Sequence, residues 1–479
     1  MKELNADVIV VSAGTAGLAA AVTAAEGGAK VVAFEKSGRT GGTAIMGSGI
    51  FAVESRIQKI KQMALTREEA FKIYMDFCHW HVNARLVKAL IDKSADTIDW
   101  LEKMGVQFFD ISSHGIGNYH TQHTVEAPEF PDRMIGRAAK MMQVLEERAV
   151  SLGVTILLKT PVGRLIREES RVTGVFAREE SGEEIRASAG AVILATGGHS
   201  IGALPGMVAG IGDGIRMAKE IGAAVQENGI PDRGQREVLR PPFAGRHRKG
   251  FSSLLFAFQQ PVLVVNRLGE RFMNEELMLN VLFHSNAINR QPERLAFVIF
   301  DEDTKNIFKK AFDIVPGGAQ QPFSSAPDFD SELSELLQDS PEVVVKAESI
   351  EELCQKTGID QTGLWLTLRE YNYACDTGRD ETFNKSPRYL KPVRKPPFYA
   401  SRITGRPSPD WSGIKVNYKT EVLDSDCHII PGLYAAGMDI ACELYHDTYP
   451  IILPATAMGF ALHSGRIAAE NALRYLKNV

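Results

Sequence analysis

The chain has 479 residues, a net charge of −5 and 44% hydrophobic side chains. That length exceeds what one hydrophobic core supports, so two or three domains are expected, and the small net charge gives no general attraction to nucleic acid or to an anionic membrane. The five cysteines, Cys78, Cys354, Cys375, Cys427 and Cys442, form no C-x-x-C pair and no C-x-x-C-H haem signature, which suits a reducing cytoplasm.

Four apolar β-branched residues, Val8 to Val11, read as a buried strand. Ser12-Ala13-Gly14-Thr15-Ala16-Gly17 follows as a tight turn, then an Ala-rich helix from Gly17 to Ala25 and a second strand from Lys30 to Phe34. Glu35 stands 21 positions after Gly14. This is the layout of a dinucleotide-binding βαβ unit, with a pyrophosphate at the helix N-terminus and the Glu35 carboxylate taking the ribose hydroxyls. The other reading is an ordinary strand-to-helix turn. Ser12 stands where the G-x-G-x-x-G pattern has its first Gly, and the turn is expected to keep its φ negative. Val8 to Ala25 carries no charge, yet its Ala and Gly content favours a buried strand and helix over a signal peptide or a membrane span. The uncharged stretch from Ala187 to Gly212 is broken by Gly197, Gly198, Gly202, Pro205, Gly206 and Gly210, so no membrane helix is expected there either.

Further along, Gly41-Gly42-Thr43 leaves backbone open to a phosphate or a ring. His79 and His81 flank Trp80 in what reads as a helix, which points them to different sides, and no metal site is expected. Ala191 to Gly198 is a buried strand ending in a Gly pair, and Gly212-Asp213-Gly214 opens another helix. The Ser, Pro and Asp-rich stretch Gln321 to Pro341 reads as a loop, and Glu348 to Cys375 as amphipathic domain core. Ile430 to Gly437 is a strand ending in small residues. Nucleotide-facing segments returning from both chain ends call for a large, extended cofactor, FAD rather than a nicotinamide.

The N-terminal fingerprint, Gly41-Gly42, Ala195 to Gly198, Gly212 to Gly214, the N-R-L-G-E-R-F-M-N-E run from Asn266 to Glu275, Pro397 to Ala400 and Gly432 to Gly437 share an order and spacing. In that arrangement the chain resembles flavoproteins of the fumarate reductase/succinate dehydrogenase superfamily, which includes 3-ketosteroid dehydrogenases and urocanate and cinnamate reductases. The resemblance implies an α/β architecture: a Rossmann-like FAD-binding domain of glutathione-reductase type over residues 1–237 and 408–479, with an inserted α+β capping domain over 238–407. It implies FAD contacts from Ser12, Gly14, Thr15, Ala16, Gly17, Glu35, Lys36, Gly41, Gly42, Thr43, Gly47 and Val162. Later contacts come from Ala195, Thr196, Gly197, Gly198, Asp213, Gly437, Met438 and Asp439. Leu453, Pro454, Ala455, Thr456 and Ala457 would form the helix start whose N–H groups face flavin N1 and O2.

Fumarate reductases clamp a dicarboxylate with His and Arg side chains, and here the aligned positions hold Leu279, Pro409 and Ile452. Leu255 to Gln260 replaces a further Glu-x-x-Arg region. A dicarboxylate buried without cations costs several kcal/mol per ion, so fumarate and succinate are poor candidates. Leu279, Phe256, Phe258, Ile452 and Trp411 instead suit a neutral or aromatic ring. The alternative is that Arg246, Arg248 or Arg290 supplies the charge. Thr43 to Gly47 lacks the His of covalent relatives, so FAD is expected to be non-covalent.

For proton transfer the candidates are Tyr449, His446 and Asp447 in the Glu443 to Pro450 loop, and His123 in Tyr119-His120-Thr121-Gln122-His123. Thr448-Tyr449-Pro450 resembles the T-Y-P of 3-ketosteroid dehydrogenases, whose Tyr polarises the substrate ketone, although Ile451 replaces the Gly that follows there. Each candidate has a plainer alternative: ring packing for Tyr449, a solvated loop for His446 and Asp447, a surface loop for His120 and His123. Arg271 is expected to brace the inserted domain. The expected activity is FAD-dependent oxidoreduction of a CH–CH/C=C pair in a small molecule, reducing an activated alkene or desaturating beside a carbonyl. Two other classes stay open, an amino-acid oxidase of the L-aspartate oxidase type and a non-catalytic flavin electron carrier. With no second dinucleotide fingerprint and no iron–sulfur or haem motif, the chain itself names neither its electron donor or acceptor nor its oligomeric state.

Overall fold

The computed structural model describes residues 1–113, 119–129, 136–198, 210–226, 257–279, 283–311, 325–339, 343–404, 411–446 and 448–478. The fold is mixed α/β, in two compact units: Met1–Gly234 with Pro409–Val479, and the continuous segment Gln235–Ser408.

The first unit is organised on a six-stranded sheet in the order Glu421–Leu423, Ile429–Ala435, Ala191–Leu194, Val8–Val11, Val31–Phe34, Thr155–Leu157. All its pairs are parallel except the first. A strand buried on both faces needs apolar residues at successive positions. Val8–Val11 has them: Val8 and Val10 pack into one core cluster with the helix Thr15–Glu26, and Ile9 and Val11 into a second cluster on the other face. The helix starts at Thr15, two residues before the expected Gly17. Gly17 is required by packing, since a Cβ there would lie 2.0 Å from the Ser12 carbonyl oxygen. The C-terminal helix Thr456–Leu476 closes on the opening helix in the same way, a Cβ on Gly465 falling 2.2 Å from the Ala16 carbonyl oxygen. A second sheet, ordered Lys2–Asn5, Glu184–Ser188, Arg171–Arg178, Val162–Glu168, and a three-stranded sheet, Gly49–Phe51, Gln122–Val125, Phe108–Ser112, complete the unit.

The second unit carries a four-stranded antiparallel sheet ordered Leu263–Asn266, Leu295–Asp301, Phe398–Thr404, Val344–Ala347. Glu348 to Cys375 forms two helices, Ile350–Thr357 and Gln361–Thr377, broken where Gly358 takes a left-handed cap and Asp360 caps the next helix. Leu353, Leu364, Leu368 and Tyr371 turn inward from them as core. The expected loop from Gln321 to Pro341 is corrected in part: Phe329–Asp339 is a helix. Its Phe329, Leu333 and Leu336 fall on one helical face and are buried, and that burial outweighs the turn-forming composition. Residues 79–81 are also corrected, lying in a turn after the helix Arg67–Phe77, with His79 and Trp80 at positive φ.

The R-F-M-N-E segment braces the second unit, as expected for Arg271. Its guanidinium forms ion pairs with Glu275 (2.7 Å) and Asp380 (2.8 Å), while Lys385 Nζ reaches Glu275 at 3.3 Å and donates to the Tyr371 hydroxyl at 2.9 Å. Glu275 and Lys385 are fully buried.

Candidate active site

A cleft in the first unit collects side chains and backbone from segments far apart in the chain. At its floor, Gly14 is the N-cap of the opening helix, which has no side-chain cap and no acidic residue in its first turn. Its first N–H groups therefore face the cleft beside Thr15 and Ala16, an arrangement that favours an anion. Ser12 departs from expectation, with φ at +90° instead of a negative value. The strain, about 1–3 kcal/mol for a non-Gly residue, is offset by its hydroxyl, which donates to Glu35 Oε2 at 2.9 Å and accepts from the Gly14 N–H at 3.3 Å.

Glu35 follows the strand Val31–Phe34, its carboxylate held by three donors: the Ser12 hydroxyl, the Ala13 N–H (2.8 Å) and the Ser37 N–H (2.7 Å). A carboxylate has about four acceptor positions, so about one is left for a ribose hydroxyl. Lys36 pairs with Asp213 at 2.7 Å. Gly41 and Gly42 both take positive φ, and a Cβ on Gly42 would stand 3.1 Å from Gly14 Cα. Thr43 and Gly47 line the cleft as well, and a Cβ on Gly47 would collide with the Met458 methyl at 1.9 Å.

The other wall is Ala195, Thr196, Gly197, Gly437 and Met438. Behind it Asp439, fully buried, accepts from the Thr196 N–H (2.6 Å), the Thr196 hydroxyl (2.8 Å) and the Gly198 N–H (3.0 Å). Burial pushes this carboxyl up while those donors pull it down. Asp439 thus ties the wall together from behind the cleft.

Several expected contacts sit elsewhere. Val162 opens the strand Val162–Glu168 with its side chain in the core. Leu453 and Pro454 are buried, the Pro454 carbonyl accepting from the Thr121 hydroxyl. Ala455 makes a left-handed turn at φ +67°, and Thr456 is fully buried. Of residues 453–457 only Ala457 lines the cleft, joined by Met458 and Ala461, which sequence reading missed. The helical spacing 457, 458, 461 puts them on one face and was the available signal. Ser37, Ala44 and Gly210 were missed too.

Among the proton-transfer candidates, Tyr449 places its hydroxyl at the start of the C-terminal helix, accepting from Thr456 Oγ1 at 2.8 Å and the Ala457 N–H at 2.9 Å. Burial raises its pKa above the ordinary phenol value, so the group is protonated at neutral pH. The Ile451 N–H is taken by the Tyr449 carbonyl at 2.7 Å. His446 stacks on His81, ring centroids 4.3 Å apart and 11° from parallel. Asp447 lies outside the described residues, as do Phe256, Pro409, Arg246 and Arg248.

His123 is corrected. It sits in the middle strand of the three-stranded sheet, fully buried, with Nε2 2.7 Å from Ser55 Oγ and Nδ1 3.2 Å from the Thr121 carbonyl. Burial lowers its pKa to about 4, so it is a neutral structural imidazole. Phe258 likewise belongs to the core of the second unit against Phe300 and Phe329, not to a pocket wall.

Trp411 and Tyr445 pack together at 4.7 Å between centroids, with Tyr445 5.6 Å from Tyr449. The Trp411 indole N–H and the Tyr445 hydroxyl are buried with no hydrogen-bond partner among the described residues. An unmet buried donor costs about 1–3 kcal/mol, so Tyr445→Phe is expected to leave the unfolding midpoint unchanged or to raise it. A clear fall in thermal stability of the FAD-loaded variant would show that this hydroxyl has a partner.

The chain matches the FAD binding domain family over residues 7–451. Vinyl phenol reductase of Lactiplantibacillus plantarum is 30% identical, the match covering 98% of this chain and 96% of that protein. A fumarate reductase (cytochrome) of Shewanella frigidimarina is 26% identical over 98% of this chain and 77% of its own length. In fold, the chain is similar to the 3-ketosteroid-Δ4-(5α)-dehydrogenase of Rhodococcus jostii, with a TM-score of 0.73 at 21% identity over 99% of this chain and 98% of that one. The glycine-walled cleft above an uncapped helix N-terminus fits FAD, and the chain belongs to the FAD binding domain family, among the flavoprotein reductases and dehydrogenases that act on carbon–carbon double bonds.

Proposed function

We propose that this enzyme reduces the activated C=C bond of a neutral, aromatic or cyclic small molecule of the vinyl phenol type, with Tyr449 as proton donor. The observation that carries the reading is the Tyr449 hydroxyl, protonated and held in place at the helix start by two donors. FAD, when bound, supplies hydride chemistry. Ser12, Gly14 and Glu35 hold its adenosine end, Gly42, Gly47 and Ala457 lie along the rest of the cleft, and Asp439 keeps the opposite wall rigid. In this reading the first unit is a Rossmann-like FAD domain of glutathione-reductase type and the second a capping domain. The setting is a reducing cytoplasm, in keeping with five cysteines of which none forms a disulfide. Among the described residues no helix is long and apolar enough to cross a membrane.

Leu279 ends the short helix Glu275–Leu279, and Ile452 packs against the main core of the first unit, so neither position offers charge to a carboxylate. Mixing dithionite-reduced enzyme anaerobically with 4-vinylphenol, a cyclic enone or fumarate tests this through flavin reoxidation. Reoxidation at about 1 per second or faster is expected with an aromatic or cyclic alkene and not with fumarate. Fumarate turnover at that rate would sink the proposal.

The cofactor is held without a covalent bond in this reading, since the segment from Thr43 to Gly47 offers no His. Acid precipitation of the holoenzyme is expected to leave a colourless pellet under a yellow supernatant. Flavin carried down with the protein would contradict it.

A further inference from the structure

We propose that Thr456 and the first turn of the C-terminal helix form an anion hole for the Tyr449 phenolate, making Thr456 the positioning residue that turns a buried phenol into a usable acid. This rests on the reading of Tyr449 as proton donor.

The hydroxyl oxygen of Tyr449 receives two hydrogen bonds, from Thr456 Oγ1 at 2.8 Å and from the Ala457 N–H at 2.9 Å. A phenol oxygen accepts hydrogen bonds as well as donating its proton. Both of these bonds are made to the oxygen, and both favour its anionic form. The helix that supplies these donors runs 21 residues, from Thr456 to Leu476, and its N-cap, Ala455, has no side chain to satisfy the first turn. Ala455 turns the chain at φ +67°, and the phenol of Tyr449 takes the place that a Ser, Thr or Asp N-cap side chain ordinarily fills. The positive end of the helix dipole therefore lies against the oxygen that becomes negative when the proton leaves.

The proton balance is simple. The Tyr449 O–H bond breaks with its electron pair staying on oxygen, the proton passes to the substrate, and the phenolate is reprotonated from water before the next turnover. Burial works against that phenolate, and the bonds from Thr456 and Ala457 work for it. The titratable groups packed nearby, Tyr74 and Tyr445, are buried phenols whose pKa values burial raises well above the ordinary value, so neither brings charge at neutral pH. His446, three positions before Tyr449, stacks on His81.

The test reads the ionisation directly. In the full-length, FAD-loaded protein, 3,5-difluorotyrosine is installed at position 449, where its fluorines ease phenol ionisation, and the ¹⁹F resonance is followed as pH rises. Thr456→Val keeps the branched shape and removes the hydroxyl, and Thr456→Ser keeps the hydroxyl. The ionisation constant is expected to fall at least about tenfold in Thr456→Val and to stay within about threefold of the parent in Thr456→Ser. Thr456→Ala replaces the Val variant where FAD content shows a disturbed helix start. A midpoint that does not move when the hydroxyl is lost, or that moves equally in Thr456→Ser, overturns the inference. Failure of the donor reading is separate: Tyr449→Phe would then keep its turnover while the resonance shift persists.

Discussion

In the Tyr449→Phe variant, turnover should fall by roughly a hundredfold or more while FAD content stays at that of the parent. Phe keeps the ring against Tyr445 and removes only the hydroxyl, which separates packing from proton transfer. The ordinary phenol pKa is about 10, and burial lifts it further, so the parent carries a full complement of protonated Tyr449 at neutral pH. The substitution also removes the acceptor for Thr456 and Ala457, a lost helix cap worth about 0.5–2 kcal/mol of stability. Turnover is therefore measured well below the unfolding midpoint. A variant within about threefold of the parent would make Tyr449 a packing residue and turn attention to His446 and Asp447.

Arg271→Ala should cost about 3–5 kcal/mol of stability in the second unit, because it removes the guanidinium from the Asp380 carboxylate and leaves the buried Glu275 with Lys385 alone. The same cluster sets an acid limit. Burial acts to raise the Asp380 carboxyl, but the Arg271 guanidinium and the N–H groups of Lys385 and Phe383 override it and hold it at about 2. That folded value lies below the unfolded one of about 4. The contribution is thus fully present above pH about 4 and is lost as pH falls toward about 2. Thermal unfolding followed from pH 5 to 2 should show the parent losing stability over this window and the Arg271→Ala protein losing less. A variant within about 1 kcal/mol of the parent at pH 7 would mean that the loop at 380–386 is held by other contacts.

What could be read from the sequence was local or repetitive. The strand Val8–Val11 and the helix after it announce themselves because a strand buried on both faces must be apolar throughout and the turn beneath it must admit a close backbone. The glycines of the cleft were readable for the same reason. What escaped depends on partners distant in the chain. Ser12 holds a left-handed φ because Glu35, 23 residues on, receives its hydroxyl. His123 looks like a polar loop residue until Gly49–Phe51 and Phe108–Ser112 pair on either side of its strand. The sequence alone suits Phe258 to a pocket wall, and the rings of Phe300 and Phe329 claim it for the core instead. The helix at Phe329–Asp339 was hidden by composition, although its apolar spacing was visible.

The closure of the Thr456–Leu476 helix on the Thr15–Glu26 helix, and the pairing of Ile429–Ala435 with Ala191–Leu194, bear on how the chain is made as well as on what it binds. The second unit is one continuous stretch and can fold as it leaves the ribosome, whereas the FAD unit waits for its final residues. Until then the strand Ala191–Leu194 presents an unpaired edge of four buried-type residues, Ala191, Val192, Ile193 and Leu194, an invitation to misassociate. The segment that closes on the nucleotide-facing N-terminal helix is thus among the last to be made, and the contacts of this unit join residues far apart in the chain, a topology that folds slowly.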